Sequence, residues 1–252
     1  MTRMAAFSDL HGNTPALEAF LEHVERLHVD LIVNLGDIAS GGVDPRGTLD
    51  LLATRPDIIT ICGNHEHQLL TRSSFAVGGS DWLAAQVLSD AERAWLRSLP
   101  RRAEILPRVL AFHGSPDDLW CYLLETVDSQ AGPSSLRVAT DDEVTARLGD
   151  WAGAADVYFC GHTHLQRTRR LPDGSVIINP GSLGWPAYQD DSPLPHKVEA
   201  GTPHARFTLL DSKPDGWSVT ECAIDYDVER AAGMALANGR DDVARALTTG
   251  RV

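Results

Sequence analysis

The stretch "RMAAFSDLHGNTPALEAFLEHVERLHVDLIVNLGD", residues 3–37, decides the fold. RMAAFS (3–8) is a short apolar strand. Thr14 is placed to cap a helix, with Pro15 at the first helical position, where a missing N–H costs nothing. Leu17, Phe20, Leu21, Val24 and Leu27 then recur at helical spacing and make one apolar stripe. DLIVNLG (30–36) is a second buried strand. A one-faced helix between two almost wholly apolar strands is the pattern of a right-handed crossover joining parallel strands.

Outward from this unit the pattern repeats once and then changes. Asp44-Pro45 opens a helix containing Leu49, Leu51 and Leu52, and DIITICG (57–63) is a third strand. Residues 65–99 read as helical and surface-facing, with Ser89 and Glu92 forming a capping box. After Pro100 strands dominate: RAEILPRVLAFHG, a helix near 141–151, the strand of ADVYFCGHTHLQR (155–167), and a hairpin around Asp173-Gly174. ARFTLLD (205–211) and GWSVTECAIDY (216–226) continue the β pattern before a helical tail. Two sheets packed face to face with helices outside accommodate this order as one domain, residues 1–252.

The bulk chemistry narrows the function classes. No apolar run approaches membrane-spanning length, and charge comes too early in MTRMAAFSDLHG for a secretory signal. The four cysteines show no CxxC spacing, so free thiols in a reducing cytoplasm are expected. The formal net charge of −13, from 22 basic and 35 acidic residues, repels a nucleic-acid backbone. A small phosphate ester drawn to bound cations remains compatible with such a surface.

The residues just beyond each strand carry the chemistry. The first strand ends in Ser8-Asp9-Leu10-His11, the second in Gly36-Asp37, and the third in Gly63-Asn64-His65-Glu66. VLAF ends in His113-Gly114, and VYFC ends in Gly161-His162-Thr163-His164. Each is an ordinary turn taken alone. Five strand ends bearing Asp, His or Asn in one chain point to convergence, because ligands of parallel sheets bind beyond the carboxyl ends of the strands.

These residues resemble the calcineurin-like metallophosphoesterases, whose pattern is D-x-H, G-D, G-N-H-[D/E], H and G-H-x-H in that order. The likeness extends over SDLHGN (8–13), FHGSP (112–116), NPGS (179–182) and ARFTLLD … IDYD, and is greatest to the small bacterial and archaeal phosphodiesterase/phosphatase branch. Glu66 is a mild departure, since many relatives carry Asp there. The resemblance implies a four-layer α/β/β/α sandwich of two mixed β-sheets flanked by helices, with two divalent metal ions between the sheets. It implies Asp9, His11, Asp37 and His164 on one ion, and Asp37, Asn64, His113 and His162 on the other. The bridging Asp37 and a hydroxide would offset the repulsion of two dications roughly 3.5–4 Å apart. That hydroxide would attack phosphorus in line, His65 would protonate the leaving oxygen, and Glu66 would orient or charge-stabilise His65.

Nitrogen and oxygen ligation without thiolate suits Mn²⁺, Fe or Zn²⁺ better than Ca²⁺, and the resemblance points to Mn²⁺. The expected activity is hydrolysis of phosphate mono- or diesters of a small, nucleotide-like or other soluble substrate. The alternatives are a catalytically silent scaffold that binds protein, against which the filled ligand set counts, and a nuclease, against which the acidic charge counts. Other residues read as bland. His23 and His28 are solvated, and His67 is a spectator or substrate contact. His196 and His204 fall in a Pro-rich loop, Asn13 serves a turn or touches phosphate, and Trp120 packs or lines the pocket. NPGS is a turn behind the metals.

Overall fold

The computed structural model describes residues 2–252. Its first part runs β1 (Arg3–Phe7), α1 (Thr14–Leu27), β2 (Leu31–Asn34), α2 (Pro45–Ala53) and β3 (Ile59–Thr60). Three helices follow, α3 (Asn64–Thr71), α4 (Trp82–Val87) and α5 (Asp90–Ser98). Next come β4 (Arg102–Leu106), β5 (Val109–Phe112), β6 (Glu125–Val127), β7 (Leu136–Val138), α6 (Asp141–Leu148) and β8 (Val157–Phe159). The chain closes with β9 (Arg167–Arg170), β10 (Val176–Asn179), β11 (Ala187–Asp190), β12 (His196–Glu199), β13 (Ala205–Lys213), β14 (Gly216–Ile224), α7 (Val228–Ala237) and α8 (Asp241–Thr249).

Two five-stranded mixed sheets form, in the orders β14-β13-β1-β2-β3 and β4-β5-β8-β10-β9. β1, β2 and β3 are parallel, as are β5, β8 and β10, and antiparallel hairpin strands flank both sets. Period-2 alternation sorts their side chains. Met4 and Ala6 of β1 face Val109, Ala111, Val157, Phe159, Val176 and Ile178 of the other sheet, in one inter-sheet core. Ala5 and Phe7 point the opposite way, onto Leu17, Phe20, Leu21 and Val24 of α1. Phe112, Tyr158 and Ile177 pack outward against Val144 and Leu148 of α6. The expected face-to-face sheets with helices outside are thus present. Each fully buried Leu, Ile or Phe contributes roughly 1.5–3 kcal/mol.

The local expectations hold with three corrections. The cap of α1 is Asn13, not Thr14: Asn13 Oδ1 accepts from Ala16 N at 3.1 Å. The Thr14 hydroxyl instead reaches Asp44 Oδ2 at 2.9 Å and Thr48 at 2.9 Å, tying α1 to the start of α2. Asn13 therefore serves the turn, and its amide donates to Gly184 O at 2.9 Å. The region 65–99 is not continuously helical, because an irregular stretch separates α3 from α4. The Pro-rich stretch after Trp185 is a two-stranded hairpin, β11 with β12, which buries His196. Among the described residues no helix is long and apolar enough to cross a membrane.

Candidate metal centre

The loops after β1 and β2 are zipped by backbone bonds from Asp9 N to Gly36 O (3.0 Å), His11 N to Asp37 O (2.9 Å) and Gly12 N to Ile38 O (2.8 Å). Asp9, His11, Asp37, His162 and His164 all take positive φ, between 51° and 69°. Only three other non-glycine residues do so among those described, His28, Arg108 and Ser135. Such backbone is costly for these residue types and clusters where a site needs side chains aimed inward. Gly63 is required beside them, because a Cβ there would lie 2.2 Å from Asp37 Oδ1.

Asp9, His11 and His164 bring three donor atoms together, and Asp37, His113 and His162 bring together three more. Asn64 joins the second group, with Oδ1 2.9 Å from His113 Nε2. Asp37 Oδ2 lies 3.2 Å from His113 Nε2 and 3.9 Å from His11 Nε2, between the two groups. The structure therefore gathers all seven side chains read from the sequence as ligands. Thr163 is buried, and its hydroxyl accepts from the Asn179 side-chain amide at 2.9 Å. With that spacer pinned, the imidazoles on either side of it fall into different groups.

The donor set suits divalent cations. His113 Nδ1 donates to Leu35 O at 2.7 Å and His164 Nδ1 to Trp185 O at 2.5 Å. Those bonds leave each Nε2 facing the cluster, the orientation of a metal-ligating histidine braced from behind. His11 Nε2 and His164 Nε2 are 3.0 Å apart. Asp9 Oδ1 is buried and has no hydrogen-bond partner, a cost that a cation beside it removes.

Electrostatics follow from this crowding. Burial would raise Asp9, but the neighbouring His164 and His113 outweigh it and hold the carboxyl at about 2. Asp37, despite burial, is held well below the carboxylate range by His113 and His65. Burial would lower His113, yet Asp37 raises it to about 10, so a proton stands on Nε2 where a metal would sit. Burial, reinforced by neighbouring histidines, pushes His11 well down and His162 to about 3.

His65 lies at the N-terminal end of α3, with its amide donating to Asp37 Oδ1 at 2.9 Å. Its Nδ1 is 2.5 Å from Asp81 Oδ1. Burial opposes its charge, but Asp37 and then Asp81 raise it to about 9. Glu66 does not hold His65. Its buried carboxylate accepts from Asp37 N (2.8 Å), Ile38 N (2.8 Å) and Gly63 N (2.9 Å), clamping the two loops that carry Asp37 and Asn64. Of the two roles expected of Glu66, the orienting contact is made by Asp81, because both Glu66 oxygens are already engaged by backbone amides, while the Glu66 charge adds a smaller contribution to raising His65.

Several contributors escaped sequence reading. Tyr122 packs on His162 (ring centroids 5.0 Å apart) and Tyr188 on His164 (4.7 Å). The Tyr122 hydroxyl meets the Tyr188 hydroxyl at 2.7 Å and His196 Nε2 at 3.0 Å, so buried His196 braces the wall behind the ligands. Trp185 stands edge-on to His11 at 4.9 Å. NPGS, expected as a turn behind the metals, braces the loops of the site: Asn179 donates to Gly161 O and Thr163 Oγ1, and Ser182 Oγ donates to Asp9 O at 2.7 Å. No local pattern marks the tyrosines, which is why sequence reading missed them. His67 and Trp120 meet edge to face at 5.5 Å, and Trp120 lines the cavity, of about 790 Å³, that opens over the ligand cluster.

Two face-to-face mixed sheets with Asp, His and Asn side chains at their strand ends define a phosphoesterase class. The chain belongs to it: residues 2–199 match the calcineurin-like phosphoesterase superfamily domain. An uncharacterized protein of Methanocaldococcus jannaschii is 23% identical over 259 residues, covering 93% of this chain and 92% of its own. The solved metallophosphoesterase of Sphaerobacter thermophilus is similar in fold, with a TM-score of 0.74 and 24% identity over 99% of both chains. A hypothetical protein of Pyrococcus horikoshii OT3 gives a TM-score of 0.73 and 19% identity, also over 99% of both chains.

Proposed function

We propose that this chain, acting as one domain, hydrolyses phosphate mono- or diesters of a small soluble substrate with two divalent ions, Mn²⁺ foremost. Asp9, His11, Asp37 and His164 would hold one ion, and Asp37, Asn64, His113 and His162 the other. The observation that carries the reading is the convergence of seven donor side chains, one with an unpartnered buried oxygen and five of them lining an open cavity. Divalent ions in such a site supply Lewis acidity towards a phosphoryl group and lower the pKa of water towards neutrality.

The rest is the work of side chains. Asp37 spans both groups, and its negative charge reduces the repulsion of neighbouring cations. His65, beside the cluster and held by Asp81, would donate its proton to the leaving oxygen. Asp81 fixes the imidazole from behind and leaves Nε2 free to face substrate. Glu66 keeps the Asp37 and Asn64 loops in register. Tyr122, Tyr188 and Trp185 confine the histidine rings so that their nitrogens stay aimed inward.

Metal content after loading, together with turnover of bis-p-nitrophenyl phosphate in Mn²⁺, tests the reading, with Asp37→Asn as the control. A protein that takes up no metal and turns over no ester would sink it.

A further inference from the structure

The cavity over the cluster is far larger than one phosphoryl group requires, about 790 Å³, a size that suits a ligand of many heavy atoms. α3 borders it with Asn64 and Gln68, spaced i, i+4 on one face, and Arg72, the C-cap that follows the helix in extended backbone, lines the same cavity. At 1.5 Å per residue, the end of α3 that precedes Arg72 lies roughly 10 Å along the helix from Asn64. A second helix, α8, borders the same cavity. It buries Val243, Ala244, Ala246 and Leu247 and leaves Arg245 on the cavity side.

These two arginines are distinguished by what they do not touch. Arg240, also on the cavity, is committed to Asp242 at 2.9 and 2.7 Å and lies over Trp185. Arg72 and Arg245 make no side-chain hydrogen bond or ion pair among the described residues. Of the cavity's outer carboxylates, Asp242 is held by Arg240, and Asp190 accepts from Ser192 N. Trp120, 45% exposed, offers an apolar face at the rim. Arg245 moreover lies outside the family-matched residues 2–199.

We infer that Arg72 and Arg245 form a second anion subsite, and that the preferred substrate is a phosphodiester carrying another phosphoryl group remote from the scissile one. This deepens the phosphoesterase reading and rests on it. Planar guanidinium groups suit such a group because they can donate two parallel bonds to its oxygens. The metal-proximal part of the cavity performs the chemistry, and α8 with the end of α3 selects what is presented to it.

The test compares thymidine 5′-(p-nitrophenyl phosphate) with the same ester carrying a 3′-phosphate, so that scissile bond and leaving group are identical. In the Mn²⁺-loaded protein kcat/KM favours the 3′-phosphorylated ester by roughly tenfold or more, and in the Arg72→Ala/Arg245→Ala protein the ratio falls to about 1. Calorimetry gives an independent readout: thymidine 3′,5′-bisphosphate binds tighter than thymidine 5′-phosphate by a similar factor, and the double variant loses that difference. Hydrolysis of both esters with no preference, or a preference that survives both substitutions, overturns the subsite and leaves the phosphoesterase reading intact. Hydrolysis of neither ester while bis-p-nitrophenyl phosphate is still turned over overturns the proposed substrate, whereas loss of metal uptake and of all ester turnover sinks the phosphoesterase reading itself.

Discussion

Asp81 Oδ1 stands 2.5 Å from His65 Nδ1, although sixteen positions separate them in the chain. Asp81 is 5% exposed, so the contact is largely shielded from water. Together with Asp37, whose charge acts more strongly, it raises His65 to about 9 against the opposing effect of burial. Asp81→Ala should lower kcat for alkyl phosphate esters roughly tenfold while leaving p-nitrophenyl esters much less affected, since a good leaving group needs little protonation. His65→Ala should show the same pattern more strongly, roughly 100-fold on alkyl esters, with metal content retained. Equal slowing of both ester types would contradict a proton-donating His65.

Glu66→Ala should act on stability. It strips the amides of Asp37, Ile38 and Gly63 of their acceptor in a buried place, which costs about 3 kcal/mol. For a chain of this size that lowers the melting temperature by roughly 6–12 °C. A scanning-calorimetry midpoint unchanged from wild type would show that the clamp is dispensable.

Asp37→Asn should remove both ions together, because Asp37 lies between the two groups of donors. Elemental analysis of the loaded and dialysed variant checks this. Retention of two ions per chain would remove Asp37 from its bridging place.

Metal loading should release protons. With Asp37 holding His113 near 10, the imidazolium must give up a proton for Nε2 to bind a cation. Calorimetric heats of Mn²⁺ binding at pH 7.5 should therefore vary with buffer ionisation enthalpy, by about one proton from this group. The same raised value fixes the sign for the metal-free protein. Its His113–Asp37 stabilisation is complete below the ordinary histidine value of 6.5 and is lost as pH rises through 10. The metal-free melting temperature should fall over that interval, and His113→Gln should flatten the fall.

Much of the fold and of the candidate site was legible in residue order. One apolar stripe on residues 14–27 between two apolar runs can be buried on both sides only as a parallel crossover, and β1, α1 and β2 obey it. The donor residues come immediately after strands, so placing the strands also placed the donors. Other assignments slipped where local sequence is indifferent to its surroundings. Asn13 and Thr14 are both competent caps, and the choice between them rests on Asp44 and Thr48 claiming the threonine hydroxyl. His196 sits in Pro-rich sequence, yet its hairpin is completed by pairing with Ala187–Asp190 and by Tyr122.

By itself, then, the sequence determined which side chains stand at strand ends and what chemistry they can perform, because hydrophobic period and adjacent polar residues are both written locally. Only the tertiary structure decided that Asp81 rather than Glu66 backs His65, that tyrosines wall the histidines, and that Arg72 and Arg245 share a cavity. Those relationships join segments far apart in the chain, and their partners are selected by how two sheets and a helical cap pack, which no local spacing encodes.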